Sequence, residues 1–567
     1  MSTHVSFIRL VPGLICPVLL VLSISGCKGK KDAEKEPVKI EVDSAYFAMN
    51  PMDIRFDSLE MAMITEGLPG LIRSYQQIRA FGLSNNMPPA IQFNPILPGF
   101  KIPEPTGKIP WEIPEGITKP EREGDLAYLS IPELARILRA GEITSVDLTE
   151  FYLARLKKYD SVLHCVISFT EEYALDYARK MDEELAEGRD RGILHGIPYG
   201  IKDLFAFHGY KTTWGAGPYK DQVIDEKAGV IEKLEEAGAV LIAKTTLGAL
   251  AMGDVWFADT TRNPWNLDEG SSGSSAGSAS ATAAGLLPFA IGTETWGSIV
   301  SPSTRCGNTG LRPTYGRVTR YGAMALSWTM DKVGPICRSA EDCAIVFDAI
   351  RGPDQKDQTL IDAGFSYPLE KELSEMKIGY VRSAFESDYE GSKQDKETLR
   401  VLRKLGASLI PVELENEEIP CYALTIILEA EAAAAFDELT RSNRDTLLVR
   451  QHKDAWPNIF RTARFITAVE YIQANRIRHE LIKDLNAKMK DFDVVVAPSF
   501  AGSNQLLATN LTGHPCVVVP NGFRENGSPT SISFLGNLFE EGKILSLAKA
   551  YQDATDFNKK RPVMFDD

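Results

Sequence analysis

From Ser130 onward the chain alternates between two patterns: apolar residues three and four positions apart predict amphipathic helices, and short β-rich runs between them predict strands. In "SIPELARILRAG" an apolar stripe runs through Leu134, Ile137 and Leu138, Ser130 and Glu133 have capping-box spacing, and Gly141 supplies a stop. "TSVDLTEFYLARLKKYD" repeats the device, with Leu148, Phe151, Tyr152 and Leu156 on one face. The strand-like runs are "GIPYGIKDLF", "AVLIAKTT", "LPFAIGTET", "KIGYVRS", "DVVVAPSF" and "HPCVVVPNGF". Helices interleaved with such runs predict an α/β protein, and no internal repeat is visible.

Upstream the pattern changes. Residues from about Met52 to Phe81 have helical spacing, with a break expected at Pro69-Gly70. Nine prolines then fall between Met87 and Pro120, which fixes that stretch as extended. Its interleaved Ile, Phe and Trp residues predict that it lies on a surface; a proline-rich ligand for another protein is the alternative. Residues 28–44, "KGKKDAEKEPVKIEVDS", are charged and lack aromatic residues, so they read as a tether.

The first residues bear on compartment. Arg9 precedes an apolar run from Leu10 to Ile24 that Pro12 and Pro17 interrupt. That run is short for a spanning helix and suits a signal-peptide core. Ile24-Ser25-Gly26-Cys27 resembles a bacterial lipobox, which implies cleavage before Cys27 and lipid on its sulfur. The expected division is a lipoprotein signal peptide at 1–26, a flexible tether at 27–45, a helical and Pro-rich wrapping segment at 46–124, and one large domain at 125–567. The protein would then sit in the cell envelope, lipid-anchored to a bacterial membrane.

Composition adds two exclusions. A formal net charge of -15 over 567 residues works against a nucleic-acid partner, because phosphate binding needs a local excess of Lys and Arg. Beyond Cys16 and Cys27, the six cysteines Cys165, Cys306, Cys337, Cys343, Cys421 and Cys516 are scattered, with neither C-x-x-C pairs nor histidines at metal spacing. They read as buried thiols rather than metal ligands, with no disulfide assigned.

Three segments carry candidate chemistry. In "HGIPYGIKDLF" a period of two puts Lys202 on the same face as Gly196, Pro198 and Gly200, which leaves room for close approach to it. "GSSAGSASATAAG" turns Ala-rich and helix-competent from about Ala279, so Ser274 and Ser275 sit on a loop entering a helix, not in a spacer. "GTETWGSIVSPSTRCG" places Ser298 after a turn of Thr295, Trp296 and Gly297. Successive N–H groups in such a turn form a concave anion site beside the hydroxyl.

Lys202, then Ser274 in "GSSAGS", then Ser298 in "TETWGSI" followed by "GLRPTYGRVTRYG", resembles the amidase signature family of Ser-cisSer-Lys amide hydrolases. The similarity runs from about Asp125 to the carboxyl terminus. It implies an amidase domain over 125–567 with a large mixed β-sheet surrounded by helices, no cofactor, and a small-molecule or peptide amide as substrate. It also implies roles. Ser298 is the nucleophile, Ser274 relays its proton behind a cis peptide bond, buried neutral Lys202 is the base, and Ser275 supports them. The N–H groups of Thr295, Trp296, Gly297 and Ser298 hold the oxyanion. Two positions depart from the family pattern: Trp296 replaces the first Gly of a Gly-Gly-Ser turn, and Val300 replaces an Arg.

Other readings compete. "LRPTYGRVTRYG" and "MDKVGPICRSAEDCA" also resemble the A component of a glutamyl-tRNA amidotransferase, a cytoplasmic protein with partner subunits, which the export signal disfavours. A catalytically inactive surface-binding lipoprotein on the same fold is a further alternative. A Ser-His-Asp triad built on His195, His208 or His514 is the runner-up mechanism, but no candidate serine sits in a G-x-S-x-G nucleophile-elbow context, and the lysine–serine reading needs none of the seven histidines. The sequence leaves the substrate and oligomeric state open.

Overall fold

The computed structural model describes residues 58–567, except 81, 86, 369–371 and 502–503. The expected signal peptide, Cys27 and the tether lie outside the described residues. The chain separates into two units, Met1–Gln77 and Ile78–Asp567. In the first, the described residues belong to the helix Ser58–Ala80, which runs through Pro69 where the sequence predicts a break. Proline costs that helix a donor, but its fixed φ is close to helical values, so the turns on either side continue.

In the second unit the apolar runs become the inner strands of one mixed sheet. Its strands are β1 (Val166–Phe169), β2 (Pro198–Lys202), β3 (Val240–Thr245), β6 (Ala290–Glu294), β7 (Thr309–Arg312) and β8 (Lys332–Cys337), followed by β9 (Ile378–Val381), β10 (Leu409–Val412), β11 (Val494–Pro498), β12 (Cys516–Phe523) and β13 (Pro529–Leu535). A separate two-stranded ribbon pairs β4 (Arg262–Asn263) with β5 (Asn266–Gly270). The eleven strands lie in the order β1-β3-β2-β6-β8-β7-β12-β13-β11-β9-β10. Parallel pairs lie toward both flanks (β2 with β3 and β6, β9 with β10 and β11), antiparallel pairs fill the centre from β6 to β11, and β1 closes one edge antiparallel to β3. This is the large mixed sheet among helices that the resemblance implies.

Burial explains why the runs read as they do. Every residue of β2, β3, β11 and β13 is buried, as expected of strands covered on both faces. The period of two in β2 therefore separates two buried faces rather than core from solvent. Pro411 is tolerated in β10 because β10 is an edge strand. Pro335 lies in central β8, but the β7 ladder reaches only Ile336 and Cys337 and stops short of it.

The predicted helices form at Ile131–Arg139 and Ser145–Leu163, each with a capping box, from Ser130 to Glu133 and from Thr144 to Asp147. Leu134, Ile137, Leu148, Tyr152 and Leu156 are fully buried on their inner faces. Residues 87–120 form neither helix nor strand. This segment is seated by specific contacts: Phe93 meets Tyr315 edge-on with ring centroids 5.0 Å apart, the Thr106 hydroxyl bridges both backbone groups of Phe365, and Asp348 accepts from the Ile109 N–H and the Trp111 indole. All six remaining cysteines are buried free thiols.

Candidate active site

The site forms where β2 and β6, adjacent in the sheet, end beside the serine-rich loop. Lys202 is the last residue of β2 and is fully buried. Its Nζ lies 2.8 Å from Ser274 Oγ, 2.8 Å from Thr293 Oγ1 and 3.4 Å from the Thr293 carbonyl. Burial pulls its pKa down to about 7 against the upward pull of the Asp331 and Glu294 carboxylates. Near neutral pH this amine is thus divided between its charged and neutral forms.

Ser274 follows a cis peptide bond from Gly273. Gly273 is required on space alone, because a Cβ there would stand 1.9 Å from the Gly253 carbonyl oxygen. Ser275 then caps the helix Ala276–Ala283, which starts three residues before the predicted Ala279. The Ser275 hydroxyl accepts the Thr293 N–H at 3.1 Å and donates to the Thr293 carbonyl at 3.2 Å. Its N–H donates to the Ser298 carbonyl at 3.2 Å. One residue therefore ties the serine loop, strand β6 and the Ser298 turn together.

The turn at Thr295–Ser298 leaves β6 and leads into the helix Val300–Cys306. Gly297 has φ +87°, a left-handed conformation that side chains disfavour. Ser298 is largely buried, with 9% of its surface exposed. None of the N–H groups of Thr295, Trp296, Gly297 and Ser298 donates to the chain among the described residues, so four donors remain available in one turn. No hydrogen bond joins Ser298 Oγ directly to Ser274 Oγ; the link between them is the backbone contact through Ser275.

Glu294, which sequence reasoning passed over, fixes the turn from below. One carboxylate oxygen accepts the N–H groups of Ile299 and Val300 at 2.8 and 2.9 Å, and the other accepts Arg312 Nη1 and Asn510 Nδ2, each at 2.8 Å. Burial alone would raise its pKa, but Arg312 and these N–H donors outweigh that and hold it at about 2. The available signal was a carboxylate inside an otherwise apolar run, since a buried charge needs partners. Thr295 is anchored in turn, its hydroxyl donating to Asp331 at 2.6 Å.

Both departures from the family pattern find places. Trp296 is 39% exposed and meets Tyr422 nearly edge-on, with ring centroids 6.2 Å apart and planes at 72°. Val300 is fully buried in an apolar cluster with Val495, Ala497 and Val518, so the missing Arg is replaced by packing. The histidines stand elsewhere. His195 is bonded to the Arg191 N–H and the Met181 carbonyl, buried His514 shares a hydrogen bond with the Thr512 hydroxyl, and His208 is exposed against Phe207. None of them touches Ser298.

Known proteins share the family and the fold of this chain. A family model described as Amidase matches residues 147–545. The chain is 33% identical over 478 residues to the A component of the glutamyl-tRNA(Gln) amidotransferase of Coxiella burnetii, covering 76% of this chain and 99% of that protein. Among solved structures it resembles the peptide amidase of Stenotrophomonas maltophilia, with a TM-score of 0.69 and 29% identity over 76% of this chain and 98% of that one. It also resembles an amidase family protein from Bacillus anthracis, with a TM-score of 0.69 and 27% identity over 78% and 93%.

Proposed function

The chain belongs to the amidase family, and from that premise we propose that it is an exported, lipid-anchored amidase that cleaves a small-molecule or peptide amide through an acyl-enzyme on Ser298. That it is an enzyme acting on an amide carbon–nitrogen bond follows from the family. The finer reading rests on one observation: a buried amine 2.8 Å from a buried serine hydroxyl, beside a turn with four free N–H groups.

In this mechanism neutral Lys202 takes the proton of Ser274, and Ser274 takes the proton of Ser298 as Ser298 Oγ bonds to the amide carbon. The oxyanion accepts from the N–H groups of Thr295, Trp296, Gly297 and Ser298. As the carbon–nitrogen bond breaks, the proton on Lys202 returns through Ser274 to the leaving nitrogen. Water then loses a proton to the same relay and attacks the ester, which releases the acid and restores Ser298. The absence of a direct Ser274–Ser298 hydrogen bond fits a relay that tightens only when substrate is bound. Labelling by a fluorophosphonate probe that disappears in Ser298→Ala supports this reading; equal labelling of the variant overturns it.

The anchored location rests on the leader. Residues 1–26 act as a lipoprotein signal peptide, Cys27 carries the lipid, residues 27–45 are a tether, residues 46–124 wrap, and residues 125–567 carry catalysis at a bacterial cell envelope. Palmitate labelling lost in Cys27→Ala supports it, and labelling retained there overturns it. A second reading, the A component of an amidotransferase, is favoured by the 33% identity that spans 99% of the Coxiella protein. Recovery from the cytosol in a complex with further subunits would establish that reading; recovery from membranes as a self-sufficient hydrolase excludes it.

A further inference from the structure

A cavity of about 460 Å³ opens beside the site, with Thr293 and Thr295 among its walls. These two residues touch Lys202 and begin the Ser298 turn respectively. Part of its rim comes from Ser84, Met87, Pro88 and Gln92 in the extended segment. That segment precedes residue 147, where the match to the family model begins. It is also fastened to the opposite wall. Asn85 accepts the Ala325 N–H at 2.7 Å and donates to the Ala325 carbonyl at 3.0 Å, and it reaches the Ala435 carbonyl at 3.3 Å. Gln92 donates to Gln358 at 3.2 Å.

The chemistry of the walls limits what enters. Much of the lining is apolar, including Met87, Leu204, Met324, Leu326 and Val333. The charged side chains among the walls are engaged with the chain itself: Arg320 bonds Asp357 and the Trp328 carbonyl, Lys356 pairs with Glu232, Asp331 accepts from Thr295, Leu326 and Ser327, Lys332 donates to the Met330 carbonyl, and Glu226 also has a partner within the chain. Such a cavity selects by apolar bulk, because a charged ligand would have to displace these partners.

We infer that Ser84, Met87, Pro88 and Gln92 form a specificity element: they wall a pocket that takes an uncharged apolar substituent of the amide substrate. The inference rests on the amidase reading, since it supposes that Thr293 and Thr295 stand beside the reacting amide. Part of the substrate preference of this enzyme is therefore built from chain that the family fold does not supply. Met87, at the rim and 55% exposed, sets how far the substituent extends.

The test measures dissociation constants on full-length Ser298→Ala protein, which binds without turnover. Two ligand series are used, n-alkanamides and N-alkylacetamides, to tell the acyl side of the amide from the nitrogen side. One series is expected to tighten with length by up to about fourfold per methylene until the cavity is full. Adding Met87→Trp shortens the length at which the gain stops, and Met87→Ala lengthens it. Ile102→Ala, on the same segment outside the cavity wall, leaves it unmoved. Affinity independent of length in both series, or a stopping point that neither Met87 variant shifts, overturns the inference. Length-dependent binding without amide hydrolysis by the unsubstituted chain overturns the amidase reading and leaves the pocket standing. Hydrolysis without length dependence does the reverse. Should Met87→Trp fail to fold, Met87→Ala carries the test alone.

Discussion

The amine of Lys202 lies 2.8 Å from the hydroxyl of Ser274, and both groups are buried. Because burial sets the Lys202 pKa at about 7, kcat/KM is expected to fall about tenfold per pH unit below that value and to level off above it. The acid limb reports protonation of Lys202, so Lys202→Ala should abolish most of the rate and flatten what remains. The same shift bears on stability. An unfolded lysine titrates near its ordinary value of 10.5, so between about 7 and 10.5 the unfolded chain binds the extra proton and stability rises with pH. Below about 7 both states carry the proton and the folded state bears the full desolvation penalty. Lys202→Met is therefore expected to stabilise the fold, more at pH 6 than at pH 9, in denaturant unfolding followed at both values.

Ser298 and the histidines should separate cleanly in rate measurements. Ser298→Ala is expected to lower kcat by about three orders of magnitude or more, because the other hydroxyl of that turn, on Thr295, is engaged with Asp331. His195→Ala and His514→Ala should act on stability instead, since both rings are buried and bonded away from Ser298. Comparable loss of kcat in a folded His514→Ala protein would refute the lysine relay in favour of a histidine one.

Glu294 acts through the turn it holds. Replacing it with Gln keeps the shape but removes the charge opposite Arg312, and both side chains are fully buried. Breaking such a pair costs about 3 to 5 kcal/mol, so a clear drop in melting temperature is expected. If Glu294 also positions the Ser298 turn, kcat should fall about tenfold or more at a temperature where the variant is still folded, with KM little changed. Glu294→Asp should recover part of both. A variant that loses stability alone, with kcat intact, assigns Glu294 to the fold only.

What the sequence made legible follows from how each signal arises. Six strands announced themselves as apolar or alternating runs. β1, β7, β10, β13 and the β4–β5 ribbon did not; in β7 and the ribbon, Gly310, Arg312, Asp268 and Glu269 break any apolar run. β8 carries Gly334 and Pro335, which interrupt its apolar run: Pro335 is tolerated because the β7 ladder stops short of it, and at Gly334 a Cβ would stand 2.0 Å from the Leu311 carbonyl oxygen of β7. Lys202, Ser274, Ser275 and the turn were legible because small residues cluster where backbones must approach, as the 1.9 Å clearance at Gly273 demonstrates. Glu294 was not, because its partners Arg312 and Asn510 arrive from distant parts of the chain. The cavity rim at Ser84, Met87, Pro88 and Gln92 was equally hidden, since nothing in a proline-rich stretch says which wall it will complete.

Trp296 is the residue of the turn whose side chain the chemistry does not require. In this structure it is 39% exposed, and its main aromatic neighbour is Tyr422, itself 66% exposed. An edge-on pair of this kind, open to water, contributes about 0.5 to 1.5 kcal/mol, so neither ring is held by the need for a core. Trp296→Ala should accordingly lower the melting temperature only slightly and leave the turn's N–H groups in place. If the ring borders the path to Ser298, the loss appears in KM for aryl amides and not for acetamide, and Tyr422→Ala shows the same selectivity. In a double-mutant cycle on aryl-amide kcat/KM, the two substitutions should then be less than additive, because each removes the other's partner. Strict additivity, or an equal loss for acetamide, would place the pair outside the substrate's path and leave Trp296 as surface packing alone.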